Sequence, residues 1–322
     1  NPATVGSVAT RVGIPGAQNP VDARSLPADL GELTRVIEGS TVFGRVQPTQ
    51  KRDIVTALQA IGRVVAMTGD GINDIPALKA ADLGIAMGSG SAATRAVGQV
   101  VLMDSSFASV PQLLDEGRRV IANVQRVAAL FVTKTVYATV FAVVVGVTAF
   151  PYPFFPRHLT IVSVLTIGVP GFFLALAPGA PRAERHFVDR VLRFAVPTGV
   201  VTAAATLLAY VLARGPLGAS DAQARTTATF MLLSLGLVVV IFVARPLTPL
   251  RYLLVAAMAL LGVLVWAIQL SRRVFALQTP STGVLLMALG VAIIAVPVFL
   301  FAVRWGQRVH TNEQRPRNRH SH

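Results

Sequence analysis

The chain of 322 residues contains no cysteine, which excludes disulfides and any thiolate metal site within it. Charge is scarce as well. Asp, Glu, Lys and Arg make up 14% of the residues against 53% hydrophobic ones, too apolar a balance for one ordinary soluble domain. Lysine is nearly missing: 26 of the 29 basic side chains are arginine, and only Lys51, Lys79 and Lys134 remain. No signal-peptide pattern opens the chain, and Asn1 stands where a Met would begin a natural start, so Asn1 reads as a cut. The net charge of +14 is not gathered into one patch. Arginines sit in short loops between apolar runs and in the tail from Arg304 to Arg319, the habit of a membrane protein's cytoplasmic side. Nucleic acid is therefore not an expected partner.

What is present falls into two parts. From Asn1 to about Ser106, short β-rich runs alternate with helical stretches. Residues 41–46, 64–67, 83–87 and 100–103 read as strands, with helices at about 49–61, 75–81 and 92–97 between them. That alternation predicts a parallel sheet covered on both faces, an α/β Rossmann-like partial domain. Residues 2–12 and 28–37 read as two further helices.

Six apolar stretches come next, at about 125–148, 159–178, 192–213, 227–244, 250–270 and 283–303. Each is close to the roughly 20 residues that cross a bilayer. The expected organisation is a cytoplasmic domain over 1–109, a stalk helix over 110–124, an all-α six-helix transmembrane bundle over 125–304, and a basic, disordered cytoplasmic tail over 305–322. With the amino-terminal part inside, eleven arginines fall on inner segments after the first span and five on outer ones. Arg272 and Arg273 run against that orientation, and the total supports it. The expectation is a multi-pass protein of the plasma membrane. Val110 to Arg126 is amphipathic and unbroken up to the first apolar run, so one continuous helix linking domain to membrane is expected beside a bent pair.

Chemistry concentrates where the strand at 64–67 ends. Thr68-Gly69-Asp70-Gly71-Ile72-Asn73-Asp74-Ile75-Pro76 puts an acidic loop at the carboxyl end of a parallel strand, where open α/β sheets bind ligands. Asp70, Asn73 and Asp74 offer oxygen donors suited to Mg²⁺, which takes one or two carboxylates plus waters and phosphate. Gly69 and Gly71, beside Thr68, let the backbone approach a ligand closely. For this loop alone an equal alternative is helix capping, with Asp74 at the cap and Pro76 just inside.

The longer string, with Ala81-Asp82-Leu83-Gly84-Ile85-Ala86-Met87-Gly88-Ser89-Gly90 behind it and Arg45-Val46-Gln47-Pro48-Thr49-Gln50-Lys51 ahead, resembles the hinge and phosphate-lysine segments of P-type ATPases. Asn1-Pro2-Ala3-Thr4-Val5 resembles the stretch after the family's threonine-glycine-aspartate turn, so the chain is expected to start just beyond that turn. The resemblance implies a haloacid dehalogenase-type fold in which Asp70 ligates Mg²⁺. Asp74, a possible second ligand, and Asn73 hold the site together, Thr68, Gly69 and Gly71 line it, and Lys51 neutralises phosphoryl oxygens. It also implies ATP as the energy source, with the nucleotide site largely outside these residues. No aspartate-lysine-threonine-glycine-threonine segment occurs, so the phosphoryl acceptor is lacking and this chain alone is expected to hydrolyse no ATP. The missing amino-terminal half of the same polypeptide is the expected partner.

Lys134 lies about ten residues into the first span among Thr133, Thr135 and Thr139. A charge at that depth costs about 2.5–3.5 kcal/mol on insertion scales. It reads as a fixed cation near a transport site, against the alternative of a side chain snorkelling to the interface. In the second span Thr166-Ile167-Gly168-Val169-Pro170-Gly171, with Pro178 beyond, predicts a broken helical ladder with free carbonyls for an ion. None of the six apolar stretches holds a carboxylate, so hydroxyls and carbonyls around Thr135 and Thr166, or groups outside the chain, must bind the cation. The arginine-rich, cysteine-free pattern resembles actinobacterial cation-transporting ATPases of the E group, which implies Ca²⁺. Two other readings compete with a cation pump: a truncated membrane partner or passive pore, and a phosphatase of the haloacid dehalogenase fold on a membrane anchor. The last needs its own nucleophilic aspartate near the start, and no strand end offers one.

Overall fold

A computed structural model describes residues 1–148, 150–176 and 187–313, with side chains to 304. The chain divides into two compact units, Asn1–Leu114 and Asp115–His322.

In the first unit, α1 (Pro2–Arg11) opens on Asn1, whose side chain accepts the Ala3 amide, with Pro2 at the first helical position. A two-stranded parallel sheet pairs β1 (Val21–Asp22) with β2 (Phe43–Gly44) across α2 (Leu30–Glu38). β2 is thus shorter than the expected 41–46 strand. Its partner β1 is only two residues long and carries no alternating pattern to find. The three-stranded parallel sheet runs in the order β3 (Ala66–Gly69), β4 (Leu83–Met87), β5 (Val100–Leu102). α3 (Pro48–Ala60), α4 (Ile75–Ala80) and α5 (Ala92–Val97) complete the alternation. The single sheet that alternation predicts is therefore two small ones. Among the described residues β3 has a neighbour on one side only, and Val64 ahead of it is 88% exposed.

Two apolar clusters join these layers. Leu33 and Ile37 of α2 meet Ala57 of α3, and Val55 of α3 meets Ala77 and Ala81 at α4. Polar contacts fix the positions of the elements. Gln50 Nε2 donates to the Ala23 carbonyl at 2.6 Å, and Gln59 Nε2 donates to the Ala80 carbonyl at 2.9 Å. Asp82 takes the Val65 amide at 2.8 Å and the Gln59 amide at 3.1 Å. These hydrogen bonds, the backbone one first, hold the Asp82 carboxyl below its usual pKa.

α6 runs without interruption from Val110 to Thr148, as one helix rather than a bent pair. Six helical stretches among the described residues are long and apolar enough to cross a membrane: Phe107–Thr148, Pro156–Ala175, Phe187–Arg214, Asp221–Val243, Pro249–Ala267 and Thr282–Arg304. The second is composite, with α7 (Pro156–Ser163), a π-helical turn (Val164–Gly168) and α8 (Val169–Ala175). α9 (Phe187–Arg214) and α10 (Asp221–Val243) come after it. α11 (Pro249–Ala267) stops short of the expected residue 270, and a separate short helix α12 (Gln269–Phe275) carries Arg272 and Arg273. α13 (Thr282–Glu313) continues past the expected end at 304, so residues 305–313 of the expected disordered tail are helical. Pro178, Arg182 and Arg185, and the tail beyond 313, lie outside the described residues.

The bundle core gathers Tyr137 and Phe141 of α6, Ile161 and Leu165 of the second stretch, Tyr210 of α9 and Leu232 of α10. Its ends are pinned by directional contacts. His158, fully buried, accepts the Phe155 amide at Nδ1 and donates from Nε2 to the Phe275 carbonyl at 2.9 Å. At the other end Asn123 Nδ2 donates to the Ala175 carbonyl at 2.8 Å, and Arg251 Nη1 to the Ala244 and Pro246 carbonyls at 3.0 and 2.9 Å. Each satisfies carbonyls that a terminating helix or its following loop leaves open.

Candidate functional site

In the first unit the loop after β3 carries the expected acidic residues, and α3 delivers Lys51 to them. Gln47 starts α3, its backbone amide donating to Gln50 Oε1 at 3.0 Å, with Pro48 at the first helical position. Lys51 therefore sits one turn into a helix whose start Gln50 also fastens to Ala23. Its ammonium donates to Asp74 Oδ1 at 2.5 Å. Asp74 is 7% exposed, and its second oxygen accepts the Gly71 amide at 3.4 Å. Asp74 does stand at the N-cap of α4 with Pro76 just inside, as the capping alternative has it, but its carboxylate makes no capping bond to that helix and serves Lys51 and the Gly71 amide instead.

Asp70 stands differently. Its side chain is exposed, with no ion pair or side-chain hydrogen bond among the described residues, while its carbonyl accepts the Ser91 amide at 3.0 Å. Lys51 is brought to Asp74, not to Asp70. Gly69 is where backbone approach matters: a Cβ there would lie 2.5 Å from the Asp74 Cβ, so only glycine lets the strand end close on that carboxylate. Asn73 is exposed at the loop's outer side and Thr68 is half-buried in β3. Lys79 sits in the last turn of α4, exposed.

The donor set left open is hard oxygen: one carboxylate without a partner among the described residues, an amide, and loop carbonyls. No group of three or more His, Cys, Asp or Glu that could hold a metal occurs among the described residues. A site with one free carboxylate fits Mg²⁺, which keeps waters and phosphate oxygens as its other ligands. It does not fit Zn²⁺, which takes nitrogen and sulfur donors in a closed tetrahedral shell.

In the second unit, Lys134 Nζ donates to Ser163 Oγ at 3.0 Å. Ser163 ends α7 immediately before the π turn, and it is a partner of Lys134 that the sequence alone did not single out. Its one signal was a hydroxyl in an apolar run, one turn ahead of Thr166. Thr166 is buried and donates to the Val162 carbonyl at 2.7 Å, and Pro170 is buried one residue into α8. The ladder is not unwound as expected. It widens to a π turn and resumes, which lets the helix absorb a proline that cannot donate. Thr135 and Gly168 are exposed in this chain, with the Thr135 hydroxyl donating to the Phe131 carbonyl. The described structure therefore brings together Lys134 and Ser163, with Thr166 one turn on, and leaves Thr135 apart.

Comparison with known proteins agrees with both halves. Residues 13–82 and 52–114 match families described as haloacid dehalogenase-like hydrolase. Residues 151–305 match the family described as cation transporting ATPase, C-terminus. The chain is 44% identical over 306 residues to the calcium-transporting ATPase CtpE of Mycolicibacterium smegmatis, covering 91% of this chain and 38% of that protein. To CtpE of Mycobacterium tuberculosis it is 45% identical over 307 residues, with the same coverage. A probable cation-transporting ATPase, exp7, of Streptococcus pneumoniae is 33% identical over 263 residues, 79% of this chain and 33% of that one. The chain thus spans 38% of the length of its CtpE relatives.

Proposed function

We propose that this chain, which belongs to the P-type ATPases as their C-terminal part, is the portion of an ATP-driven calcium pump that couples a Mg²⁺-phosphoryl site to the transport helices. The observation that carries it is the Lys51–Asp74 ion pair on the loop that also presents Asp70. Phosphoryl transfer asks the protein for positioning and fixed positive charge more than for covalent chemistry. Asp74 holds the Lys51 ammonium at the loop, ready to face phosphoryl oxygens. Asp70, unpaired and exposed, and Asn73 would hold Mg²⁺, which when bound neutralises charge between the phosphoryl group and its acceptor carboxylate. The unpaired side of β3 would take the strand bearing that acceptor.

In the bundle, Lys134 would act as a fixed counter-charge held by Ser163 beside the π turn, and Thr166 and carbonyls around Pro170 would contribute to the cation path. Ca²⁺ as the cation draws on the names of the relatives. The amino-terminal unit and the carboxyl terminus would face the cytoplasm, by the arginine distribution, and the membrane would be the plasma membrane.

The test uses the complete protein reconstituted in vesicles, with ATP hydrolysis, acid-stable phosphoenzyme and radioactive Ca²⁺ uptake read together. Ca²⁺-stimulated hydrolysis with matching uptake is expected. Absence of a phosphoenzyme from ATP would sink the pump reading, and hydrolysis stimulated only by another ion would sink calcium.

A further inference from the structure

At the end of the bundle where α6 begins its apolar run, a cavity of about 590 Å³ opens between helices, within the size range of small-ligand sites. Four arginines from four different helices or their ends line it: Arg126 of α6, Arg190 of α9, Arg245 just after α10 and Arg304 of α13. Its remaining wall is largely apolar and includes Phe242 and Leu300.

Like charges do not converge on one cavity without something to offset their repulsion. No described carboxylate pairs with Arg126, Arg245 or Arg304. Arg126, half-buried, donates to the amide oxygen of Asn123 at 2.7 Å. The Arg245 guanidinium carbon lies 4.3 Å from the Phe242 ring centroid, a cation–π contact that uses the charge without consuming an N–H donor. Arg304 is exposed and has no hydrogen bond among the described residues. Guanidinium forks match phosphate oxygens in geometry as well as in charge.

We infer that this cavity binds the phosphate headgroup of an anionic phospholipid, with an acyl chain against the Phe242 and Leu300 wall. A free phosphate would use only the arginines and would leave that wall facing water. The amphipathic lining calls for an amphipathic anion. The arginines come from the first, third, fourth and sixth membrane-spanning stretches or their flanks, so a bound lipid would tie those segments together at one end. The inference does not depend on which cation is transported. With the orientation proposed above, the bound lipid would sit in the cytoplasmic leaflet.

The test is native mass spectrometry of the complete protein in detergent, titrated with phosphatidylglycerol, phosphatidylcholine or inorganic phosphate. Phosphatidylglycerol should be retained in preference to phosphatidylcholine. Each arginine near an anionic headgroup is worth about fivefold in affinity. The Arg126→Gln/Arg304→Gln pair should therefore lose the preference by roughly 25-fold, and Arg304→Gln alone, at an exposed position that does not threaten folding, by about fivefold. Arg118→Gln removes one charge from α6 outside the cavity lining and should leave the preference intact. Equal retention of both lipids, or a preference unmoved by the double variant, overturns the inference. So does a preference lost equally in Arg118→Gln, which would mean diffuse surface charge. Displacement of phosphatidylglycerol by millimolar inorganic phosphate would reassign the site to a free anion.

Discussion

Gly236 of α10 meets Thr166 of the π turn so closely that a Cβ on the glycine would stand 2.8 Å from the threonine Cγ2. The contact locates the π turn against a neighbouring helix by absence of a side chain. Gly236→Ala would ordinarily favour a helix by about 1 kcal/mol. Here the methyl must displace Thr166, and overpacking of that kind costs about 1–3 kcal/mol. We expect the alanine variant to melt lower than wild type in detergent. Thr166→Ser removes the opposing methyl, so adding it should restore most of the loss. An alanine variant that melts higher would show the turn to be compliant.

The Lys51–Asp74 pair is expected to behave as one unit. Asp74 is nearly buried while the Lys51 side chain is about one-third exposed (36%), so removing the lysine leaves a carboxylate with only the Gly71 amide. Lys51→Met and Asp74→Asn should each cut phosphoenzyme formation on the order of 10²–10³-fold, the usual effect of losing one fixed charge-stabilising group. The double variant should be scarcely worse than either alone. Additive losses would mean the two side chains act separately.

Acid should loosen the amino-terminal unit before the bundle. Asp22 is held well below the usual carboxylate range by hydrogen bonds from Arg24, Asp82 by the Val65 amide, and Asp104 by the Ser109 hydroxyl. In each case the folded pKa lies below the unfolded one, so the stabilisation is complete above the unfolded value near 4. It is lost as pH falls through the lowered folded values. Hydrogen exchange of peptides covering β3 and β4, corrected for intrinsic rate, should accelerate in the window below about pH 4 by this linkage. Asp82→Ala should expose the Val65 amide at neutral pH. Protection that is flat across that window would refute the linkage.

Lys134→Met removes the ammonium and leaves Ser163 to a neighbouring carbonyl. If the ammonium is a counter-charge to the transported ion, Ca²⁺ activation of hydrolysis should shift by tenfold or more, about 1.4 kcal/mol, while ATP dependence stays put. Ser163→Ala should shift it in the same direction by less. An unchanged Ca²⁺ midpoint in both variants would assign Lys134 to the interface, where a long side chain can reach water.

Local signals made much of this legible in the sequence. The run to Pro76 announces a strand, an acidic loop and a helix in succession, and α4 stands where that run puts it. β3 lies two residues beyond the expected 64–67, so Thr68 and Gly69 belong to the strand rather than to the loop. The six apolar stretches are equally plain, because composition alone carries them. Elements set by distant contacts were hidden. β1 exists because β2 lies beside it 22 residues on, and no two-residue pattern can declare that. Asp82 stands just ahead of the 83–87 strand, yet its carboxylate reaches back 17 residues to Val65. Pro170 signalled a disturbed helix, but whether the ladder opens or merely widens depends on the helices packed around it, Gly236 among them. The choice of Asp74 over Asp70 as partner of Lys51 is likewise tertiary.

The 39 residues of α6, at 1.5 Å each, make a rod about 58 Å long. The oily interior of a bilayer is only about 30 Å thick, so nearly half of that rod must stand in water. Neither Gly117 nor any other residue along it introduces a joint. One unbroken ladder of hydrogen bonds therefore runs from the wet half to Lys134.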